Sequence, residues 1–543
     1  MNLKFFCATL LCAMAQLVSS SVWAEEAQLS AQTQSVSASN DTIQRFVKAE
    51  FAERRAMLNQ WPGTIEEFDR LVALIDSDVL YRDSAGTTYI LKNNEKLLRY
   101  PDEQVIETWP GDLSQVTLVN TLRKALNFGQ AQAKLKSEES AQRLVAIDIL
   151  ENNLSELNVA QINQLYLHEQ NNKVKQRLAQ LKARLDFESP DVLVQIQAAK
   201  VLTDSNRPEV LALVEQALTQ SNLNPELKAV LVDAKSQIKT RIQASEWAGH
   251  VFSGFSTASI LLLAALGLAI TYGLLGVINM AHGELIMIGA YTTYVVQSLF
   301  KTYLGSYVDW YLIAAIPAAF LVSGLIGMLI ERTVIRPLYG RQLETLLATF
   351  GVSLILMQLV RMIFGAQNVE VSNISWLSGG IALSPSLMLP YNRIAIIVFT
   401  VAVLLLLVYL LNKTRFGLFV RAVTQNRQMA RAVGIRSSRI DMLAFGLGSG
   451  LAGLAGCALA QVGNVGPDLG QNYIIDAFLV VVVGGVGQVW GAVLAALGLG
   501  ISGTVLEIGM GAVLAKIILL VLVILFIQKR PQGLFAIKGR FVE

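Results

Sequence analysis

Two short polar interruptions stand inside otherwise apolar sequence. They hold much of what could do chemistry in the second half of this chain. The first is Gly276-Val277-Ile278-Asn279-Met280-Ala281-His282-Gly283-Glu284. An amide, an imidazole and a carboxyl lie within six residues, so the segment can donate, accept and exchange protons. Between apolar runs such a cluster is costly in lipid, and it persists only where protein buries it or a wet cavity meets it. It reads as a helix broken on a solute path, or as a short turn outside the membrane capped by Asn279. The residues leave both open. The second interruption runs from Asp476 through Val480-Val481-Val482-Val483 to Gly484-Gly485-Val486-Gly487. Glycine-broken segments in corresponding halves of a transporter mark a binding pathway. Small residues equally allow close helix packing, and this choice also stays open.

A third stretch is cytoplasmic in character. It runs from Thr414-Arg415-Phe416-Gly417 through Arg421 and Arg427 to Ala430-Arg431-Ala432-Val433-Gly434-Ile435. It is long, basic and amphipathic and ends in a Gly-Ile turn. A surface helix of this kind can dock in a partner's groove, although a solvated loop would also serve topology. Other charges lie near apolar spans. Arg361 is placed to snorkel, and Glu507 and Lys516 could pair across a short outer turn, though the residues alone do not require it.

Several chemistries are excluded or unsupported. No G-x-x-x-x-G-K-[ST] segment exists, so nucleotide binding by a P-loop is ruled out, and H-E-x-x-H is absent too. Ser449 between Gly448 and Gly450 has no evident base. The three cysteines are Cys7, Cys12 and Cys457, so residues 25–250 hold no disulfide or cysteine metal site. No catalytic set, metal or cofactor is implied. His168 reads as a surface residue.

The elements that must position these residues divide the 543-residue chain in three. Hydrophobic residues make up 53% and charged residues 16%, well below the usual share of roughly 25% charged, so part of the chain must face lipid. Met1–Ala24 reads as a cleaved secretory leader: Lys4, an apolar run to Val18, and Val22-Trp23-Ala24 before Glu25. Residues 25–247 form an exported, mainly helical domain, with 25–42 expected to be disordered. Residues 25–250 carry 25 Lys and Arg against 31 Asp and Glu. Ile65–Ile75 predicts a helix with Phe68, Leu71, Val72 and Ile75 on one face, and Thr87–Leu91 predicts a strand in a small sheet. Ala141–Asn152 and Val192–Thr203 share an apolar spacing, with Leu193, Ile196, Ala199 and Leu202 on the second. That spacing fits a pair of HEAT-type hairpins or a plain helical domain.

Residues 248–543 predict an all-α polytopic bundle of about eight or nine spans, near 256–277, 285–300, 311–331, 344–364, 392–411, 441–461, 474–488, 490–507 and 513–528. Those at 285–300 and 474–488 are short, and both adjoin glycine-containing breaks. Residues 251–543 carry 18 basic against 10 acidic side chains. Alternate loops hold the basic excess: Arg332, Arg336 and Arg341; the Lys413–Arg439 stretch; and a tail with Lys529, Arg530, Lys538 and Arg540. The positive-inside rule puts these loops and the C-terminus in the cytoplasm. Nine spans then put the N-terminus outside, where the leader independently sends it. Trp247, Trp310, Tyr311, Trp376 and Tyr391 are placed as outer-interface anchors.

Taken in order, Asn279–Glu284, Glu331-Arg332…Arg336-Pro337-Leu338, Ala430…Gly434-Ile435, Gly484-Gly485-Val486-Gly487 and Arg530-Pro531-Gln532-Gly533-Leu534 resemble the branched-chain amino acid permeases of bacterial ABC importers over about residues 255–535. Leu343–Gly351, Gly365–Val371 and Leu389-Pro390-Tyr391-Asn392-Arg393 look closest to the permeases of urea importers, as does the long exported domain. The resemblance implies a multi-pass inner-membrane subunit without its own motor. It implies a second homologous permease, two ABC ATPase subunits, a periplasmic solute-binding protein and no nucleic acid. The substrate pathway would run by Asn279, His282, Glu284, Asp476, Gly484 and Gly485. Arg421, Ala430, Arg431, Gly434 and Ile435 would couple it to the ATPases. Urea is neutral, so amide and carbonyl partners would recognise it. A branched-chain amino acid, a passive urea channel and a ligand sensor are the competing readings.

Overall fold

The computed structural model describes residues 41–535, apart from positions 60, 63, 78, 85–86, 93–95, 101–103, 107–109, 152–153, 155–156, 158, 188, 221–222, 277 and 385. The expected leader, residues 25–40, and Lys538 and Arg540 lie outside the described residues. The chain separates into two compact units, Met1–Ser205 with Glu209–Gln237, and Asn206–Pro208 with Ile238–Glu543.

The first unit opens with helices α1 (Asp41–Lys48), α2 (Phe51–Asn59) and α3 (Ile65–Asp76). In α3 the Thr64 side chain accepts from the Glu67 amide while Glu67 reaches back to the Thr64 amide, a reciprocal cap. Phe68, Leu71 and Ile75 are buried as their spacing predicts. Strands β1 (Leu80–Arg82), β2 (Thr88–Lys92), β3 (Lys96–Arg99), β4 (Gln104–Ile106) and β5 (Ser114–Gln115) form an antiparallel sheet in the order β4-β3-β2-β1-β5. Tyr89 stands opposite Tyr81 and Arg99. Six helices follow: α4 (Asn120–Lys134), α5 (Ser140–Leu150), α6 (Val159–His168), α7 (Asn172–Asp186), α8 (Val192–Leu202) and α9 (Pro208–Leu218). Ile147, Leu150, Val174, Leu178 and Leu181 share one core. Leu193 departs from the expected apolar face: it is 69% exposed, while Ile196, Ala199 and Leu202 are buried. It sits in the first turn of α8, where the chain has only begun to cover that face.

Helix α10 (Pro225–Leu275) contributes to both units. The second unit continues with α11 (His282–Tyr303), α12 (Tyr311–Ile330), α13 (Gln342–Phe364), the hairpin β6 (Gly380–Ser384) and β7 (Leu387–Pro390), and α14 (Tyr391–Lys413). Then come α15 (Arg415–Gln425), α16 (Arg427–Ala432), α17 (Ser437–Ala460), α18 (Leu469–Gly484), α19 (Val489–Met510) and α20 (Ala512–Lys529). A helix coincides with each of the nine expected spans. Among the described residues, seven are long and apolar enough to cross a membrane. The other two, α11 and α18, are those whose apolar stretches are short in the sequence.

Helix α17 is the centre of the bundle, and its span is 83% buried. Its glycines permit that position. A Cβ on Gly456 would stand 1.9 Å from the Ile286 carbonyl oxygen of α11. Loss of side chains at such points lets backbones meet, the means by which helices associate in lipid. Tyr311 differs from its expected role as an interface anchor. It is 1% exposed, donates to the Ser372 carbonyl at 2.9 Å and meets Gln461. Its hydroxyl gathers polar groups that would otherwise be orphaned inside the bundle.

Candidate functional site

The polar residues at the break between α10 and α11 are buried. Helix α10 stops at Leu275, and Asn279, His282 and Glu284 are no more than 2% exposed. Asn279 Oδ1 accepts from the Ala281 amide at 3.1 Å, which shapes the turn. The residue just before α11 is Ala281, and it provides no side-chain cap. His282 Nε2 lies 2.9 Å from the Ala264 carbonyl of α10. Asn279 Nδ2, His282 Nδ1 and Glu284 Oε2 have no hydrogen-bond partner. Buried polar groups are nearly always satisfied, so these three atoms mark the segment as unfinished by the protein itself.

Helix α13 supplies the facing wall. Its buried residues are Thr345, Thr349, Ser353 and Val360. The three hydroxyls recur every four residues and therefore lie in one row. The Met280 amide donates to Thr349 Oγ1 at 3.2 Å, and the Ser353 hydroxyl stands beside Glu284. This row lies within the Leu343–Gly351 stretch and just beyond it, but its role was missed in the sequence. A spacing of four was the available signal, and the modest polarity of Thr and Ser hid it.

The starts of α11 and α18 meet in the interior. A Cβ on Gly283 would lie 2.5 Å from the Gly470 carbonyl oxygen, and one on Gly470 would lie 2.3 Å from the Gly283 carbonyl oxygen. Two helix beginnings, each carrying partial positive charge, thus abut where the buried polar segment lies. On the far side of that contact is a cavity of about 470 Å³. Ser256, Thr257, Asn368, Arg393, Asn464 and Asn472 give it hydrogen-bonding groups, and Asp468 and Leu469 bring the start of α18 to its wall. It lies at the end of the bundle opposite the arginine-rich loops, since α13 runs from Gln342 beside Arg341 toward Asn368. The two loops beside it are tied by a bridge between Val369 and Val465. Arg361 donates to Asp468 at 2.6 Å, so it is paired as well as placed near an end, and Arg393 donates to Ser253. Asn368 and Arg393 fall in the stretches that carry the resemblance to urea permeases.

The remaining expected residues scatter. Asp476 lines a second cavity, of about 380 Å³, and pairs with Lys516 at 3.8 Å. Lys516 therefore reaches a carboxylate on α18, and Glu507 lines the same cavity. Gly484 packs on the α19 backbone: a Cβ there would stand 2.5 Å from the Gly491 carbonyl carbon. Gly485, at φ +99°, would bring a Cβ to 2.4 Å from the Phe535 carbonyl oxygen. The Leu534 amide donates to Val483 O at 2.8 Å. Gly484 thus lets α18 meet α19, and Gly485 seats the Arg530–Leu534 tail.

The basic stretch forms two helices rather than a solvated loop. Asn426 is extended and its side chain caps α16 through the Met429 amide. Gly434 has φ +87° and closes α16, with the Ile435 amide donating to Ala430 O at 3.0 Å. Ala430 is buried with Val423 and Ile440, and Ile435 packs against them. Arg421 reaches Asn412 at 3.2 Å and Arg431 reaches Ser437 at 2.8 Å.

Apolar helices that enclose a polar centre, with two members starting inside it, define a membrane transport permease. The chain belongs to the family described as the permease component of branched-chain amino acid transport systems, which it matches over residues 250–527. BraD, a permease protein of the high-affinity branched-chain amino acid transport system of Pseudomonas aeruginosa, is 31% identical over 291 residues, 52% of this chain and 94% of that protein. LivH of Escherichia coli is 29% identical over the same shares. The probable LivH of Methanocaldococcus jannaschii is 28% identical over 51% of this chain and 89% of its own length. No solved structure matches.

Proposed function

We propose that this chain is the membrane-spanning subunit of an ATP-driven importer of the bacterial inner membrane, and that its solute is urea. The supporting observation is the amide- and hydroxyl-lined cavity whose wall includes Leu469, the residue before Gly470. Urea presents four N–H donors and one carbonyl acceptor. Asn368, Asn464 and Asn472 offer both complements without fixed charge, and Asn279 Nδ2 and Glu284 Oε2 offer unused ones beyond the Gly283–Gly470 contact. Of the charges on the wall, Asp468 is paired with Arg361, while Arg393 donates to the neutral Ser253 hydroxyl and keeps its charge. On this reading the cavity faces the periplasm and receives solute from a binding protein. A second homologous permease completes the path, and two ABC ATPase subunits act through α15 and α16. The arginine-rich loops support that orientation, with the first unit periplasmic.

A branched-chain amino acid is the second reading. The names of the relatives favour it, as do Ile260, Leu459, Val462 and Leu469 on the cavity wall. Uptake of labelled urea and labelled leucine in a strain lacking this gene separates the two. Loss of urea uptake alone, restored by the gene, is expected. Loss of leucine uptake with urea uptake intact overturns urea.

A further inference from the structure

We propose that Arg427, Asp441, Tyr339 and Glu331 form the joint through which movement of α15 and α16 reaches the helix bundle. The inference rests on reading those helices as the coupling element.

Arg427 is the first residue of α16. Its Nη2 donates to Asp441 Oδ1 of α17 at 2.9 Å, and its guanidinium lies 4.8 Å from the Tyr339 ring centroid. The Tyr339 hydroxyl donates to Glu331 Oε1 at 2.7 Å. One cation thus touches a carboxylate on α17 directly and a carboxylate at the end of α12 through one phenol. Glu331 and Asp441 are both 0% exposed. Glu331 Oε2 and Asp441 Oδ2 have no hydrogen-bond partner; Arg427 is the direct ion pair of Asp441, and Arg431 and Arg336 add favourable charge. A buried ion pair that loses one member is strongly unfavourable, because the remaining charge is left without compensation. If α16 moves, Asp441 loses its direct ion pair and Tyr339, which holds Glu331, loses its cation contact, unless α17 and the end of α12 follow.

Val423, Ala430 and Ile440 are buried together with Val420 and Ile435 packed against them, and Phe416 and Val420 also pack against the main core of the bundle. The charged contacts add a directional attachment to this apolar seat. Their arrangement suits transmission. Glu331 opens a π-helical turn, Glu331–Ile335, a local widening that occurs often at functional positions. Helices α12 and α17 are in backbone-close contact through Gly453 and the Ala319 carbonyl, and α17 meets α11 at Gly456. Helix α11 begins at His282 in the buried polar centre. Arg427 is thus linked by contiguous packing to that centre.

The test uses the complete transporter in proteoliposomes, with its ATPases and binding protein, and reads ATP hydrolysed per solute molecule imported. Asp441→Asn and Arg427→Gln keep the approximate shape and remove one charge of the pair. Each is expected to raise the ratio at least tenfold while hydrolysis continues. Tyr339→Phe removes only the phenol hydroxyl and is expected to raise it about threefold. A merely structural role would lower complex yield and both rates together, leaving the ratio unchanged, and that result overturns the joint. Should Asp441→Asn not assemble, Arg427→Lys and Tyr339→Phe decide by the same ratio. Gly434→Val is measured in parallel. If it uncouples and the joint variants do not, only the joint fails. If it leaves the ratio unchanged, the coupling role of α15 and α16 fails first.

Discussion

Asn279, His282 and Glu284 were legible as residues because polar groups in apolar sequence are expensive and must be buried or wet. Their burial, each with one unpartnered atom, sharpens that argument. Removing a hydrogen-bonding group that has no partner costs a protein little stability. Glu284→Gln should therefore leave insertion and melting temperature nearly unchanged while uptake falls at least tenfold, as measured by labelled-solute transport and thermal shift on the purified protein. Parallel loss of stability and transport would make Glu284 structural. The hydroxyl row gives the same kind of test. Thr349→Val keeps the shape of the side chain and removes the acceptor that the Met280 amide uses. It should cost about 1–3 kcal/mol of stability, seen as a lowered melting temperature, as well as transport. Thr345, Thr349 and Ser353 were hidden because threonine and serine hardly lower the hydropathy of a span.

At the scale of elements, local periodicity found the helices and left one connection undetermined. The Lys413–Arg439 stretch reads as continuous and basic, yet Asn426 leaves helical conformation and caps the next helix with its own side chain. Propensity averaged over a window does not register one cap. Gly434 is the clearest element-level prediction. A Cβ there meets nothing within 4 Å, so the restriction is conformational rather than steric. A β-branched residue at φ +87° costs about 1–2 kcal/mol and should shift the Gly-Ile turn. Gly434→Val is expected to insert normally and to uncouple hydrolysis from uptake. Gly456→Leu acts sterically. With the Ile286 carbonyl 1.9 Å from its Cβ, α11 and α17 must separate, and the yield of folded protein in detergent should collapse.

In the first unit, the relevant pair is Arg143 and Glu169, at 2.9 Å and with both side chains largely buried. Burial raises the Glu169 carboxyl, but the Asn171 amide and the Arg143 guanidinium outweigh it and hold it below its ordinary value of 4.5. A lowered folded-state value means stability that is present above pH 4.5 and lost as pH falls through the folded value. Hydrogen exchange in α6 and α7 of the full-length protein should accelerate over that window, and Glu169→Gln should abolish the acid dependence while costing about 2 kcal/mol at neutral pH.

For the whole molecule, the sequence by itself determined the sites of the nine helices, the small sheet and the two shortened spans, together with the loop charges from which topology is argued. These depend on apolar length, period and charge within one segment, which physics reads without knowing what lies opposite. Only the tertiary structure decided which polar and glycine residues act together. It joined the starts of α11 and α18, nearly two hundred residues apart, and set a cavity beside them. It turned Gly484 and Gly485 toward packing, gave Asp476 the partner Lys516, and put two buried carboxylates within reach of Arg427. The physical reason is that a partner for a buried polar group is chosen by packing in three dimensions. Gly283 and Gly470 can touch only because neither carries a side chain, and nothing in their separate sequence neighbourhoods says that they should.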